Sequence, residues 1–168
     1  IGCGSCIRVC TPDAIEYADS REDALELIQS DQETAAVVDP TIAAEFPDIT
    51  DYRKFVRMIR NLGFDYVLEG AFGVDVVARN YRELLKNNKG KYYLFANDPV
   101  VNAYIEKYQP ELIPNLAPIN SPQLAMAQII HTHFGEEVKV VYIGPLIASK
   151  RKKEMGSGHS RIDAVLTF

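Results

Sequence analysis

Three cysteines near the amino terminus carry the most distinctive chemistry in this sequence. Cys3, Cys6 and Cys10 are spaced C-x2-C-x3-C, and the other residues of the 168-residue chain include no further cysteine. A disulfide framework would distribute its cysteines over distant segments. Thiols gathered in one short loop instead suit a metal or redox centre in a reducing compartment, so we interpret the chain as cytoplasmic.

The cysteine spacing matches the last three cysteines of the bacterial ferredoxin motif, C-x2-C-x2-C-x3-C-P, which holds 4Fe–4S clusters. In two-cluster ferredoxins the fourth cysteine ligates the other cluster. The motif therefore predicts that Cys3 and Cys6 bind one cluster and that Cys10 binds a neighbouring one. The proline expected directly after the last cysteine is displaced by one residue, to Pro12. A redox dithiol, a zinc site and unreactive thiols are the alternatives.

A second group of polar side chains follows the apolar, aromatic run at residues 92–96. This run has the length of a buried strand, Asn97 and Asp98 come directly after it, and Pro99 opens a predicted helix. Another apolar run, residues 138–143, ends in Gly-Pro-Leu, with Leu146 in the last position. Ligands of open α/β sheets bind in the crevice beyond the carboxyl ends of the strands. We therefore predict one pocket at these two strand ends.

The composition is that of an ordinary soluble globular protein. Hydrophobic residues make up 47% of the chain, charged residues 24%, and the net charge is −5. An acidic balance argues against general binding to nucleic acid or to anionic membranes, and no apolar run approaches the ~20 residues that span a bilayer. The chain begins at Ile1, inside the cysteine motif, so we expect a fragment of a longer protein.

Apolar periodicity predicts alternating strands and helices. A first amphipathic helix over residues 20–32, with Ser20 as its N-cap, connects the cysteine loop to the rest of the chain. The predicted strands are residues 35–39, 65–68, 92–96, 138–143 and 162–167, and the predicted helices are residues 51–62, 74–87, 100–108 and 123–134. This order indicates an α/β three-layer sandwich with a mainly parallel sheet over residues 34–168. Residues 1–33 form a partial ferredoxin-like motif and its connecting helix.

Several other residues have simple structural interpretations. His131 and His133 are two apart on a predicted helix and face different directions, so we interpret them as surface residues. Asp39 and Glu69, at predicted strand ends, are functional carboxylates or helix caps. The basic run at residues 150–153 is a solvated linker or a docking site for an acidic partner.

With these elements placed, the sequence resembles the iron-only (FeFe) hydrogenase large-subunit family, from the second ferredoxin motif into the catalytic domain. The resemblance implies the first of two α/β lobes, between which that family holds its hydrogen-activating H-cluster. The similar stretches are residues 1–10, 38–46, 62–75, 97–112, 117–122, 138–150 and 162–168.

The resemblance also implies that residues essential to active members have been replaced. Where those members have a proton-transfer cysteine and then a cysteine that ligates the cubane of the H-cluster, this chain has Asn97 and Asp98. The family motif Met-Pro-Cys, with a lysine three residues later, reads Gly-Pro-Leu here, so Leu146 takes the cysteine position and Ser149 the lysine position. The family's two remaining cluster cysteines would lie beyond the last residue.

We therefore expect an iron–sulfur protein that is a non-catalytic sensory, regulatory or electron-transfer relative of the hydrogenases. We expect 4Fe–4S clusters in the intact protein and no H-cluster. The expected partners are a redox protein such as a ferredoxin, or signalling domains outside this chain, with neither nucleic acid nor membrane involved. The alternative is an active iron hydrogenase with unusual ligation.

Overall fold

The structure, a computed structural model, describes residues 1–47, 51–95, 97–151 and 156–168. Within them the chain forms a four-stranded, all-parallel sheet with the spatial order β2-β1-β3-β4. The strands are β1 (Thr34–Val38), β2 (Tyr66–Glu69), β3 (Lys139–Gly144) and β4 (Ala164–Thr167). The helices are α1 (Ser5–Arg8), α2 (Arg21–Gln29), α3 (Ile42–Glu45), α4 (Tyr52–Asn61), α5 (Ala71–Asn87), α6 (Pro99–Tyr108) and α7 (Pro122–Phe134).

The sheet is built around β1, which pairs with β2 on one side and β3 on the other. All five residues of β1 are buried, and Ala36 lies opposite Val67 of β2 and Val141 of β3. A parallel strand in this position is covered on both faces, which is why its sequence is a continuous apolar run after Thr34. Four of the five predicted strands are confirmed, each within a residue or two of its predicted bounds.

The fifth predicted strand, residues 92–96, is wrong. Leu94 makes a single parallel bridge with Leu116 and belongs to none of the four strands, while Ala96 lies outside the described residues. The aromatic side chains of this run are largely in solvent, with Tyr92 88% and Phe95 62% exposed. The run is therefore an irregular segment outside the main sheet.

The reason lies in the segment against which this run pairs. Leu94 donates its N–H to the Asn115 carbonyl (2.8 Å) and accepts from the Ala117 N–H (2.9 Å). Prolines at 114 and 118 flank that partner, and a proline has no N–H to extend a ladder. The pairing therefore ends after one bridge, although the composition of residues 92–95 suits a strand.

Helices cover both faces of the sheet, as a three-layer α/β fold requires. On one face Met126, Ala127 and Ile130 of α7 pack against β1 and β3, and α5 packs on the outside of α7. On the other face Ala24 of α2 and Ile59 of α4 pack against the strands. The predicted α2 is confirmed, but Ser20 makes no side-chain cap hydrogen bond there.

The packing of α5 on α7 depends on Gly73. A Cβ at that position would lie 2.4 Å from the Pro122 carbonyl oxygen and 2.7 Å from Met126 Cγ. Only a glycine lets the two helices approach this closely. This contact fixes the first turn of α7 relative to the first turn of α5.

The amino-terminal segment rests on the turn that follows β3. A Cβ on Gly2 would lie 3.0 Å from both Cα and Cβ of Ala148, and the Lys150 ammonium donates to the Ala18 carbonyl (3.0 Å). The cysteine loop is therefore held next to the carboxyl end of β3. None of the helices in the described ranges is both long and apolar enough to cross a membrane.

Candidate functional site

A cavity of about 130 Å³ lies at the carboxyl edge of the sheet. It receives residues that follow β1, β2 and β3, together with the beginnings of three helices. Its lining residues include Asp39, Asn97, Ser121, Gln123, Tyr142 and Leu146. Asn97, after the irregular run at residues 92–95, and Leu146, after β3, thus line one and the same cavity, as the sequence predicts.

Asp39 is held rigidly at the wall of this cavity. Its Oδ1 accepts from the Thr41 backbone N–H (2.9 Å) and from the Thr41 hydroxyl (2.5 Å), and its Oδ2 accepts from the Tyr142 hydroxyl (2.5 Å). Burial raises the pKa of Tyr142 well above the usual tyrosine range, and the hydrogen bond and negative charge of Asp39 raise it further. Tyr142 is therefore a neutral donor to a fixed carboxylate.

Asn97 and Asp98 are both engaged in hydrogen bonds that shape the local backbone. The Tyr81 hydroxyl donates to Asn97 Oδ1 (3.0 Å). Asp98 Oδ1 accepts from the N–H groups of Val100 (2.7 Å) and Val101 (3.2 Å), which makes Asp98 the N-cap of α6. Asn97 thus lines the cavity, whereas Asp98 stabilises the helix that begins beside it.

Leu146 and Ser149, in the turn after β3, contribute no ligand suited to iron. Leu146 has an alkyl side chain that lines the cavity. Ser149 is 1% exposed and donates from Oγ to Gln123 Oε1 (3.3 Å). Serine at this position therefore ties the turn to α7 and carries no charge.

Three helices begin around the cavity. Gly70 precedes α5, Pro99 opens α6, and Ser121 and Pro122 lead into α7, and all four residues line the cavity. The amino-terminal end of a helix presents unpaired N–H groups and partial positive charge. Asp98 satisfies this end of α6, but neither Gly70 nor Ser121 makes a side-chain cap.

Sequence reasoning missed the roles of Ser121, Gln123 and Tyr142. Ser121 is 7% exposed, and its Oγ has no hydrogen-bond partner within the part of the chain that the structure describes. The dipeptide Ser-Pro before a predicted helix signals an N-cap, which is a structural role. Only the tertiary arrangement places these side chains in one cavity.

The cysteine loop at the other side of the turn has three free thiols. Cys3 and Cys6 are exposed, and Cys10 is half-buried with its Sγ accepting from the Ala14 N–H (3.3 Å). Hydrogen bonding to Ser5, whose hydroxyl lies 3.5 Å from the sulfur, lowers the pKa of Cys3. A lowered pKa favours the thiolate, which is the form that binds metal.

The two sites differ in how well their donors fit the metal centres that the sequence suggests. Thiols are the right donors for an iron–sulfur cluster, although no group of three or more His, Cys, Asp or Glu side chains converges on one point in residues 1–47, 51–95, 97–151 and 156–168. After residues 92–95 and after β3, the side chains at the positions in question are an amide, a capping carboxylate, a hydroxyl and an alkyl group, the last of which has no lone pair to donate. These do not fit a thiolate-held cubane.

The remaining sequence interpretations have mixed outcomes. His133 is exposed, but His131 is 3% exposed, with Nδ1 2.8 Å from the His159 carbonyl oxygen and Nε2 3.1 Å from that of Val138, so its interpretation as a surface residue is wrong. Glu69 is exposed at the end of β2. In the basic run, residues 152 and 153 lie outside the described residues, so its docking role stays a prediction.

Comparison with known proteins gives two findings. The sequence model of the family described as "Iron only hydrogenase large subunit, C-terminal domain" matches residues 32–168. Among solved structures, an apo FeFe-hydrogenase from Chlamydomonas reinhardtii, in a variant with one cysteine replaced by histidine, is similar in fold with a TM-score of 0.67. The sequences are 20% identical, and the match covers 89% of this chain and 45% of that one. The chain thus spans less than half the length of the hydrogenase that it matches.

Proposed function

Because this chain belongs to the iron-only hydrogenase large-subunit family, we propose that it is an iron–sulfur protein whose hydrogenase-like lobe no longer activates hydrogen. The lobe would serve in sensing, regulation or electron transfer. The observation that carries the proposal is that Asn97, Asp98 and Leu146, at the positions where the resemblance implies thiols, offer no thiolate, and that Asn97 and Asp98 have structural hydrogen bonds. An active hydrogenase with unusual ligation is the alternative.

Coordination chemistry supports a non-catalytic role. Iron–sulfur clusters select soft thiolates, and Leu146 has no lone pair to offer. The Asp98 carboxylate is a hard donor that already accepts two backbone hydrogen bonds at the start of α6. The Asn97 amide does not release a proton near neutral pH, so it cannot act as a proton relay.

The cysteine loop supports the iron–sulfur part of the proposal. Cys3 and Cys6 would ligate one 4Fe–4S cluster and Cys10 a neighbouring one, with the missing ligands supplied by residues outside this chain. A cluster supplies one-electron redox chemistry when bound. The partner would be a redox protein such as a ferredoxin, or attached signalling domains, in the cytoplasm.

The deciding experiment is a hydrogen assay on the intact protein, produced together with the cluster-assembly factors of the hydrogenases. With a low-potential electron donor we expect no hydrogen evolution above that of the protein produced without those factors. A catalytically active relative treated identically is the positive control. Turnover above the control would overturn the non-catalytic proposal in favour of the alternative.

Iron and sulfide content tests the cysteine assignment separately. After anaerobic reconstitution, the intact protein should show the visible charge-transfer absorption of an iron–sulfur cluster, and Cys3→Ser or Cys6→Ser should reduce the bound iron. Ser157→Ala, an exposed substitution far along the chain, is the control. Bound iron unchanged in both cysteine variants would contradict the assignment.

A further inference from the structure

We propose that a second copy of this chain binds to the sheet face that α2 and α4 cover, so that the acidic helix α2 of each copy lies on the basic helix α4 of the other. The inference goes beyond the proposed function, since it concerns how two copies of the protein associate.

The first observation is the concentration of positive charge on α4, in a chain whose net charge is −5. The helix contains four bases and no acid, and all four bases are exposed: Arg53, Lys54, Arg57 and Arg60. None of them makes an ion pair with a residue in the described ranges. Bases three or four residues apart on a helix repel one another, and the first two also lie in the first turn, where the helix dipole is positive. This charge costs stability in the single chain, and an acidic surface placed against it would offset the cost.

The second observation is that α2 carries the opposite charge on the same face of the sheet. Three of its acids are exposed and make no ion pair within the part of the chain that the structure describes: Glu22, Asp23 and Glu26. The two helices pack on one core cluster, and α2 touches the turn after α4, where a Cβ on Gly63 would lie 2.4 Å from Ile28 Cγ2. An acidic protein, a nucleic acid or an anionic membrane would be attracted by α4 but repelled by α2. A partner that carries both signs of charge is therefore favoured.

The third observation is that the two helices present their charges at matching positions. Each residue of β1 lies beside the residue 31 positions later in β2, and α2 and α4 each precede their strand by a four-residue loop. The residues that face the sheet follow the same offset in the two helices: Ala24 and Ile28 in α2, Phe55 and Ile59 in α4. The exposed acids at 22, 23 and 26 correspond by this offset to the exposed bases at 53, 54 and 57. The acidic and basic surfaces are therefore equivalent in height and direction.

A twofold axis parallel to the two helices, and midway between them, makes use of this match. It places α2 of each copy on α4 of the other in the same direction, with Glu26 opposite Arg57, and every contact occurs twice. Leu25 and Met58, which are 53% and 42% exposed, add apolar area to the same surface. Helices of nine and ten residues are only about 14–15 Å long, so the interface is smaller than the ~800 Å² per partner of stable complexes. The association should accordingly be weak and sensitive to salt.

Sedimentation velocity of the intact protein over a series of concentrations tests the proposal. We expect a monomer–dimer equilibrium that shifts toward the monomer at high salt. Arg57→Glu and Glu26→Arg should each weaken dimerisation by about tenfold, because each converts two symmetry-related attractions into repulsions. Arg79→Glu and Glu111→Arg, matched reversals at exposed positions outside α2 and α4, should dimerise as the native protein does.

An equimolar mixture of the two variants separates loss of charge matching from misfolding. In a heterodimer of Arg57→Glu with Glu26→Arg, opposite charges face each other at both symmetry-related contacts, so the mixture should dimerise as the native protein does. A monomer at every concentration, association that neither reversal weakens, or variants that stay monomeric when mixed would overturn the inference. The hydrogen assay tests the proposed function alone and leaves this inference unaffected.

Discussion

Tyr142 illustrates at the scale of one residue how burial and a single neighbour fix a protonation state. Its ring belongs to the core between β3 and α7, while its hydroxyl reaches Asp39 at the cavity wall. Both burial and the carboxylate oppose ionisation, and these effects add. The result is a donor that keeps its proton far above neutral pH and holds Asp39 in a single position.

Tyr142→Phe should therefore reduce the loss of stability in alkali. Below the ordinary tyrosine pKa of 10.0 the folded and unfolded states both hold the proton, so the contribution of the Tyr142 hydroxyl to the free energy of unfolding is fully present. Above it the unfolded chain releases a proton that the folded state retains, and the free energy of unfolding falls as the pH rises. Urea unfolding between neutral pH and pH values above 10 should show a shallower decline for Tyr142→Phe than for the native protein. The exposed Tyr92→Phe is the matched control, and parallel curves for all three would contradict the prediction.

Cys3 should be the thiol that responds to its serine neighbour. In a background of Cys6→Ser and Cys10→Ser, Ser5→Ala should slow iodoacetamide alkylation of Cys3 near neutral pH, because loss of the hydrogen bond decreases the thiolate fraction. The difference should vanish at pH values where the thiol is fully ionised. A background that retains only Cys6 controls for general loosening of the loop. Equal rates for Cys3 with and without Ser5 at every pH would disprove the effect.

At the scale of elements, the contact between α5 and α7 has little tolerance for added volume. Gly73→Ala would introduce a Cβ 2.4 Å from a backbone carbonyl oxygen, so the helices must separate. Overpacking of this kind costs about 1–3 kcal/mol. Replacing a glycine within a helix by alanine stabilises the folded state by only about 0.5–1 kcal/mol.

The midpoint of urea unfolding should accordingly decrease for Gly73→Ala. Ala78→Gly, at an exposed position of the same helix, measures the difference in helix propensity between alanine and glycine alone. Since Gly73 meets Pro122 at the start of α7, the substitution should also displace the wall of the cavity. An unchanged or higher midpoint for Gly73→Ala would show that the helices adjust at no cost.

The strands of the main sheet and the helices around it could be predicted from the sequence because their apolar runs, caps and prolines match where these elements are buried and where they begin. The continuous apolar run of β1 and the capping Asp51 of α4 are examples, and the prolines at 99 and 122 mark the starts of α6 and α7. The run at residues 92–95 carries the same local signal, but whether it forms a strand depends on its partner. The prolines that limit this pairing, Pro114 and Pro118, lie some twenty residues further along the chain.

The cavity could be predicted only in part. Leu146 follows β3, so its place at the carboxyl edge of the sheet could be predicted from the parallel topology. Asn97 follows an irregular segment, so its place beside Leu146 does not follow from that topology. The pairing of Asp39 with Tyr142 and the unpartnered state of Ser121 depend on side-chain packing between segments far apart in the chain. No local pattern distinguishes a serine that caps its helix from one that does not.

At the scale of the whole molecule, the central position of β1 has a consequence for synthesis. Asp39 and Tyr142, whose contact joins the edges of neighbouring strands, are 103 residues apart in sequence. At a translation rate of about 5–20 residues per second, roughly 5–20 s pass between the synthesis of β1 and the synthesis of β3, which pairs with its second edge. During that interval an apolar strand edge is open to any other nascent chain. Late pairing of distant parallel strands is slow. The yield of folded protein on expression should therefore fall when ribosome-associated chaperones are removed, even though the finished sheet is stable.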